Sequence, residues 1–258
     1  MEQRRLDPEQ WSQDGEFTAM TLEQRALQMM APSGADSLPT ASSEVGPEDD
    51  DVQQAVLQLA QSCEYEVQHT HQVTRLALRL FDELRSVHGL GPRERLWLQY
   101  ASLLHDIGLI EGPQGHHKTS LRIILDSPLL PLDKSRRLLV GSVARYHRGA
   151  LPRERHGHFA RLKPGARRVV RILAAVLRVA DGLDYTHQSL VDDLVCNVSS
   201  ERVLVRCTVH AGAGFEGSLQ EGKLGTAAAE AERARALEKG DLLEQVFERK
   251  LVVECHLQ

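Results

Sequence analysis

Between residues 166 and 185 the chain carries its most apolar helical repeat. Val169, Val170, Ile172, Leu173, Val176, Leu177 and Ala180 recur at the three- and four-residue spacings of a helix face that must be covered. Asp181 breaks the pattern: four residues after Leu177, it projects from the same stripe. A carboxylate in a core needs a cation or a metal beside it. Aromatic residues make up only 4% of the chain. The covering surface must therefore come from Leu, Val, Ile and Ala, which favours helix packed on helix.

Other stretches supply that surface. Val56, Leu59, Ala60 and Cys63 form one stripe, preceded by the acids of 49–51. Val73, Leu76, Ala77, Leu80 and Leu84 form a second on a helix expected over 65–88, and stepping back four residues reaches His69. A third helix opens at Pro92 and carries Leu96, Tyr100, Leu103 and Leu104 into His105-Asp106, where Gly108 is expected to supply the terminating turn. Two more follow, one from the His116-His117 pair to Ser127-Pro128, the other over 133–147. After His187 the texture changes to strands at 190–198 and 202–209, a helix at 227–239 and a strand at 250–256. The expected fold is mainly α: a helical bundle over 51–188 with a small α+β appendage over 189–258. Residues 1–50, rich in Ser, Pro, Gly and acids, are expected to be a disordered acidic leader with one short amphipathic piece at 22–30.

The four cysteines form no C-x-x-C pair, which argues against a zinc knuckle or a disulfide framework. No stretch approaches 18 uninterrupted apolar residues and the N-terminus has no apolar leader, so no membrane partner is expected and the cytoplasm is the expected compartment. The net charge of −5 hides an asymmetry: 134–178 holds 13 Lys or Arg against one acid, Glu154. Such a run is either a solvated face or an anion-attracting surface, and it contains His147.

A lone histidine on an apolar helix face is ordinarily a hydrogen-bonded core residue. Here His69, His105, His117, His147 and Asp181 lie on five separate helices, with Asp106 beside His105. Imidazoles and carboxylates together suit manganese, iron, magnesium or zinc rather than soft metals, and bundle cores commonly hold such sites. Six donors exceed what one tetrahedral ion needs. The expected division sets His69, His105, Asp106 and Asp181 around one ion, with Asp106 bridging to a second held by His117 and His147. Two ions roughly 3.5–4 Å apart clamp a phosphate and acidify a water. Lys118, Arg145 and Arg148 are the candidates for binding the substrate and stabilising phosphoryl charge, completing a catalytic set with Asp106.

His69, then His105-Asp106, then Asp181 in Val-Ala-Asp-Gly-Leu-Asp resemble the H…HD…D pattern of the HD phosphohydrolase superfamily. Five longer motifs sharpen the likeness. They are Leu-Ala-Leu-Arg-Leu-Phe-Asp-Glu-Leu from Leu76, Leu-Leu-His-Asp-Ile-Gly from Leu103, His-His-Lys-Thr-Ser from His116, Ala-Arg-Tyr-His-Arg-Gly-Ala-Leu-Pro from Ala144 and Leu-Arg-Val-Ala-Asp-Gly-Leu-Asp-Tyr-Thr-His from Leu177. In this order they resemble the C-terminal HD domain of the exopolyphosphatase/guanosine-pentaphosphate phosphohydrolase family over residues 52–258. The resemblance implies an HD helical domain and a metal-dependent phosphohydrolase acting on a phosphorylated, nucleotide-like small molecule. The actin-like domains that cleave polyphosphate in that family have no counterpart in these 258 residues, so that activity is not expected. Leu109 replaces the Lys of HD-GYP-type phosphodiesterases, and no Gly-Tyr-Pro follows, which disfavours cyclic-di-GMP cleavage. The alarmone-hydrolase Glu-Asp pair is represented only by Glu111.

Three competing functions fit the same residues: a regulatory metal- or nucleotide-binding module, a di-iron oxygenase on the same ligands, and RNA or polyphosphate binding by 134–178. Nucleic acid is not the expected partner, because only Tyr146 and Phe159 interleave the basic run. A homodimer is left open.

Overall fold

The computed structural model describes residues 47–210 and 219–257, with side chains over 50–210 and 227–256. The short helix expected at 22–30 lies outside them. Helices come first: α1 (Pro47–Ser62), α2 (Val67–Glu83), α3 (Arg85–His88), α4 (Pro92–Leu103), α5 (His116–Asp126), α6 (Lys134–Arg145), α7 (Gly157–Ala160) and α8 (Pro164–Gly182). Then follow β1 (Val191–Val198), β2 (Arg202–Val209), α9 (Leu219–Lys239), α10 (Asp241–Phe247) and β3 (Lys250–Leu257). The fold is mainly α with a small α+β tail, as the apolar spacing predicts.

The aspartate-bearing helix, α8, is the hub. It packs against α2, α4, α6, α9 and α10, and every residue from Ile172 to Gly182 is buried. A helix apolar nearly all round belongs at the centre of a bundle. Each fully buried Val, Leu or Ile there contributes about 1.5–3 kcal/mol.

The helix expected over 65–88 divides at Leu84 into α2 and α3. His88 explains the break: its Nε2–H donates to the Phe81 carbonyl at 2.7 Å while its Nδ1 accepts from the Leu90 amide at 2.9 Å. The imidazole thus takes the carbonyl that the Arg85 amide would use in an unbroken helix. At the start of α6, Asp133 accepts from the amides of Ser135 and Arg136 at 2.8 and 2.9 Å, an N-cap that fixes where the helix begins.

Much of the basic run is internal stapling. Arg137 donates to the carbonyls of Leu132, Ser127 and Leu130, and Arg167 to those of Leu162 and Ala160. Arg178, buried on α8, joins Tyr146 and Gly149 to Lys239 and Asp241. These guanidinium groups are saturated and offer little to a nucleic-acid backbone.

In the tail, β1 and β2 form an antiparallel pair, and α9 and α10 cross over to set β3 parallel to β2. β1 is tied to α2 by Gln72 Nε2, which donates to the Val191 carbonyl at 2.7 Å. α9 presses on α8 where Gly182 stands: a Cβ there would lie 2.6 Å from Ala236 Cα, closer than atoms can approach. Buried Glu232 accepts from the amides of Tyr185 and Thr186, fixing α9 to the end of α8. This packing sets Lys239, the last residue of α9, beside Asp181. All four cysteines are free thiols.

Candidate metal centre

His105 and Asp106 follow α4 directly, and the chain then enters a 3-10 turn, Ile107–Glu111. Gly108 is not in the left-handed conformation expected of a helix-terminating glycine. Its place is set by crowding: a Cβ would collide with the His116 carbonyl and the Ser120 amide. Ser120 staples the approach, its hydroxyl donating to the His105 carbonyl at 2.7 Å and accepting from the Gly108 amide at 3.0 Å. The first turn of α5 is thereby pressed against the His-Asp pair.

Four imidazoles are fixed through one nitrogen and aimed with the other. His105, His116 and His147 each donate Nδ1–H to the carbonyl three residues earlier: Ser102 at 2.7 Å, Pro113 at 2.9 Å and Ala144 at 2.8 Å. His69, from α2, donates Nδ1–H to Asp184 at 2.8 Å. That leaves Nε2 of each ring facing inward. His116 Nε2 and His147 Nε2 lie 3.1 and 3.3 Å from Asp106 Oδ1, and His105 Nε2 lies 3.5 Å from Asp106 Oδ2. His69 Nε2 lies 3.5 Å from Asp181 Oδ1.

The distances are short, and His116 Nε2 also stands 3.4 Å from His147 Nε2. Both His105 Nε2 and Asp106 Oδ1 are buried without a hydrogen-bond partner, a costly state unless something else takes the lone pairs. Two groups, His69–His105–Asp106 and Asp106–His116–His147, bring one donor atom from each residue within 4.8 Å of one another. Imidazoles locked through Nδ1 are how proteins present neutral Nε2 donors to a divalent ion. The residues fit a metal ion on that ground.

Charge agrees with geometry. Burial pushes the Asp106 carboxyl up, but His105, His116 and His147 outweigh it and hold the group below the usual carboxylate range. Burial opposes charge on His69, yet Asp181 and Asp184 together raise its pKa to about 10, so the metal-free ring carries on Nε2 a proton that a bound ion would displace. Burial dominates at His147 and pushes it down to about 3. Asp181 is buried too, and the cation beside it, Lys239 with His69 behind it, carries its carboxyl well below the usual range.

The expected ligands are thus largely brought together, with two differences. His116, not His117, faces Asp106; adjacent residues on a helix point about 100° apart, so only one of the pair can look inward. The His117 ring stands at right angles to His147 with centroids 6.3 Å apart. Asp181 is also not an open donor, because Lys239 engages its Oδ2. Of the three expected cations, exposed Arg148 brings Nη1 to 3.5 Å from His116 Nε2. Lys118 and Arg145 instead line an adjoining basin with His117.

Three further residues matter, of which helical spacing reaches only Asp184, close to one turn beyond Asp181. Asp184, fully buried, orients His69 and caps the Ser189 amide. His187 stacks on His69 with centroids 3.8 Å apart and itself bonds Glu66 at 2.8 Å. Lys239 comes from 58 residues away.

No helix among the described residues is long and apolar enough to cross a membrane. No curated protein matches the chain. Residues 52–219 match the family model described as Ppx/GppA phosphatase, domain III. The matched stretch contains the four inward-facing histidines, Asp106, Asp181 and Asp184, whereas Lys239 lies beyond it. This chain belongs to the Ppx/GppA phosphatase domain III family.

Proposed function

We propose that the chain is a metal-dependent phosphohydrolase of the HD type acting on a phosphorylated, nucleotide-like small molecule. The observation that carries this reading is the set of four imidazoles, each held through Nδ1, whose Nε2 atoms converge on the acids of one buried site. His69, His105 and Asp106 would hold one divalent ion, and Asp106, His116 and His147 a second, with Asp106 shared. Such ions supply Lewis acidity and an acidified water for attack on phosphorus.

The chain's own groups do the rest. Asp106, kept ionised by its imidazole neighbours, acts as ligand and proton acceptor rather than as an acid. His105 and His147 are buried, while the Asp106 side chain stays 15% exposed and so open to a substrate. Arg148, beside His116, is placed to bind a phosphoryl oxygen. The test is phosphate release from a panel of nucleotides and phosphomonoesters with manganese. Turnover in the wild type and its loss in Asp106→Ala is the expected result; turnover that survives in Asp106→Ala contradicts the reading.

One observation favours a regulatory module instead. Lys239 already neutralises Asp181 with an ammonium group, which takes that carboxylate out of the ligand set without blocking the other donors. Manganese that binds and shifts the melting temperature, with no substrate turned over, is the outcome that reading expects.

A further inference from the structure

The basin next to the metal centre is built for an anion, and we propose that it takes the non-reacting phosphate of a substrate carrying two phosphate groups. The ligand's identity rests on the phosphohydrolase reading; the anion site itself does not. It is an open cavity of about 870 Å³ lined by Gly115, His117, Lys118, Thr119, Arg145 and His156, among others, and among the described residues no acidic one lines it.

Arg145 is the telling member. It is only 8% exposed, and Nη1 is fully buried without a hydrogen-bond partner. Among the described residues it has no ion pair; its neighbour is the Tyr146 ring, whose centroid lies 5.6 Å from its guanidinium carbon. A guanidinium cannot shed its charge, so burying it unpaired is expensive. The contrast is with Arg178, equally buried but bonded to carbonyls and to Asp241, and with half-buried Arg137 and Arg167, both bonded to carbonyls.

The second observation is independent. α5 is 11 residues long, begins at this basin, and has Gly115 as its N-cap, so no side chain caps it. The Lys118 amide donates to the Gly115 carbonyl at 2.7 Å, and the amides of His116 and His117 before it offer an anion their N–H groups and the helix dipole. Exposed Lys118 from the same turn adds a cation to the lining, and His117 Nδ1 is also buried and unpartnered.

The basin and the metal centre share a wall. His117 lies 5.6 Å from the His116 ring, centroid to centroid, and Arg148 Nη1 lies 3.5 Å from His116 Nε2, the nitrogen that faces Asp106. Neighbouring rings of one helical turn thus border the two sites, and the proposed ligand sets one phosphate in each.

The experiment is calorimetry on the full chain with inorganic phosphate and pyrophosphate. In metal-free protein, phosphate is expected to bind one site; Arg145→Gln should weaken it about tenfold or more, Lys118→Ala about threefold, and Asp106→Asn not at all. With manganese loaded, pyrophosphate should bind more tightly than phosphate, and Arg145→Gln should remove the advantage. Phosphate affinity unchanged in folded Arg145→Gln, or abolished by Asp106→Asn, overturns the proposal. If Arg145→Gln does not fold, Lys118→Ala decides, and unchanged affinity there is equally fatal. Phosphate binding without turnover of any nucleotide sinks the hydrolase reading alone; turnover whose KM ignores Arg145→Gln sinks the basin alone.

Discussion

His69 donates its Nδ1–H to Asp184 Oδ2 at 2.8 Å, linking α2 to the turn that follows α8 across 115 residues of sequence. The bond fixes the ring so that Nε2 can face only the site, and it explains why a second aspartate stands three residues after Asp181. Asp184 thus sets the aim of the His69 ring.

Replacing Asp184 with Asn keeps the shape and the Ser189 contact but removes the charge behind His69. Manganese affinity is expected to fall about 10- to 100-fold while the fold persists. Isothermal titration reads this directly, and an unchanged affinity would show that His69 needs no such support.

Lys239 tests the opposite relation. In metal-free protein its ammonium is the compensating charge for buried Asp181. Lys239→Met should cost about 3–5 kcal/mol in the presence of chelator, because a buried charge loses its partner. The same variant should bind manganese more tightly than wild type, because metal no longer competes with an internal cation. Denaturation with and without manganese measures both effects; weaker metal binding in the variant would refute the competition.

Acid stability carries a further signature. His158 is pushed down to about 4, first by burial and then by Arg145, from 6.5 in the unfolded chain. Between those values the unfolded chain binds more protons than the folded one, so stability rises with pH there and is lost as pH falls from 6.5 toward 4. His158→Gln should lose less stability than wild type between pH 7 and pH 5 in urea denaturation. Equal losses would mean that this ring is already protonated in the folded protein.

How much of this was legible beforehand follows from locality. The α8 stripe with Asp181, the His105-Asp106 pair after α4, and His69 one turn before Val73 were readable because helical spacing is a local property. His147 was readable for the same reason. The choice between His116 and His117 was not, because two adjacent imidazoles look alike until the helix phase is known. A regularity separates them in the structure: His105, His116 and His147 all bond the carbonyl three residues back, and His117 does not. Lys239 left no trace at all, since its pairing depends on how α9 crosses α8 at Gly182 and Ala236. The break at Leu84 was hidden likewise, in one imidazole, His88, that captures a helix carbonyl. The basic run misled by its sum: several of its arginines serve the backbone, and unpaired Arg145 stands out only once those partners are seen.

The most direct test compares His116→Ala with His117→Ala by manganese stoichiometry on protein loaded and then desalted. Two ions per chain are expected in wild type and in His117→Ala, and one in His116→Ala, whose Nε2 lies 3.1 Å from Asp106 Oδ1. Loss of an ion in His117→Ala with both retained in His116→Ala would contradict the centre described here.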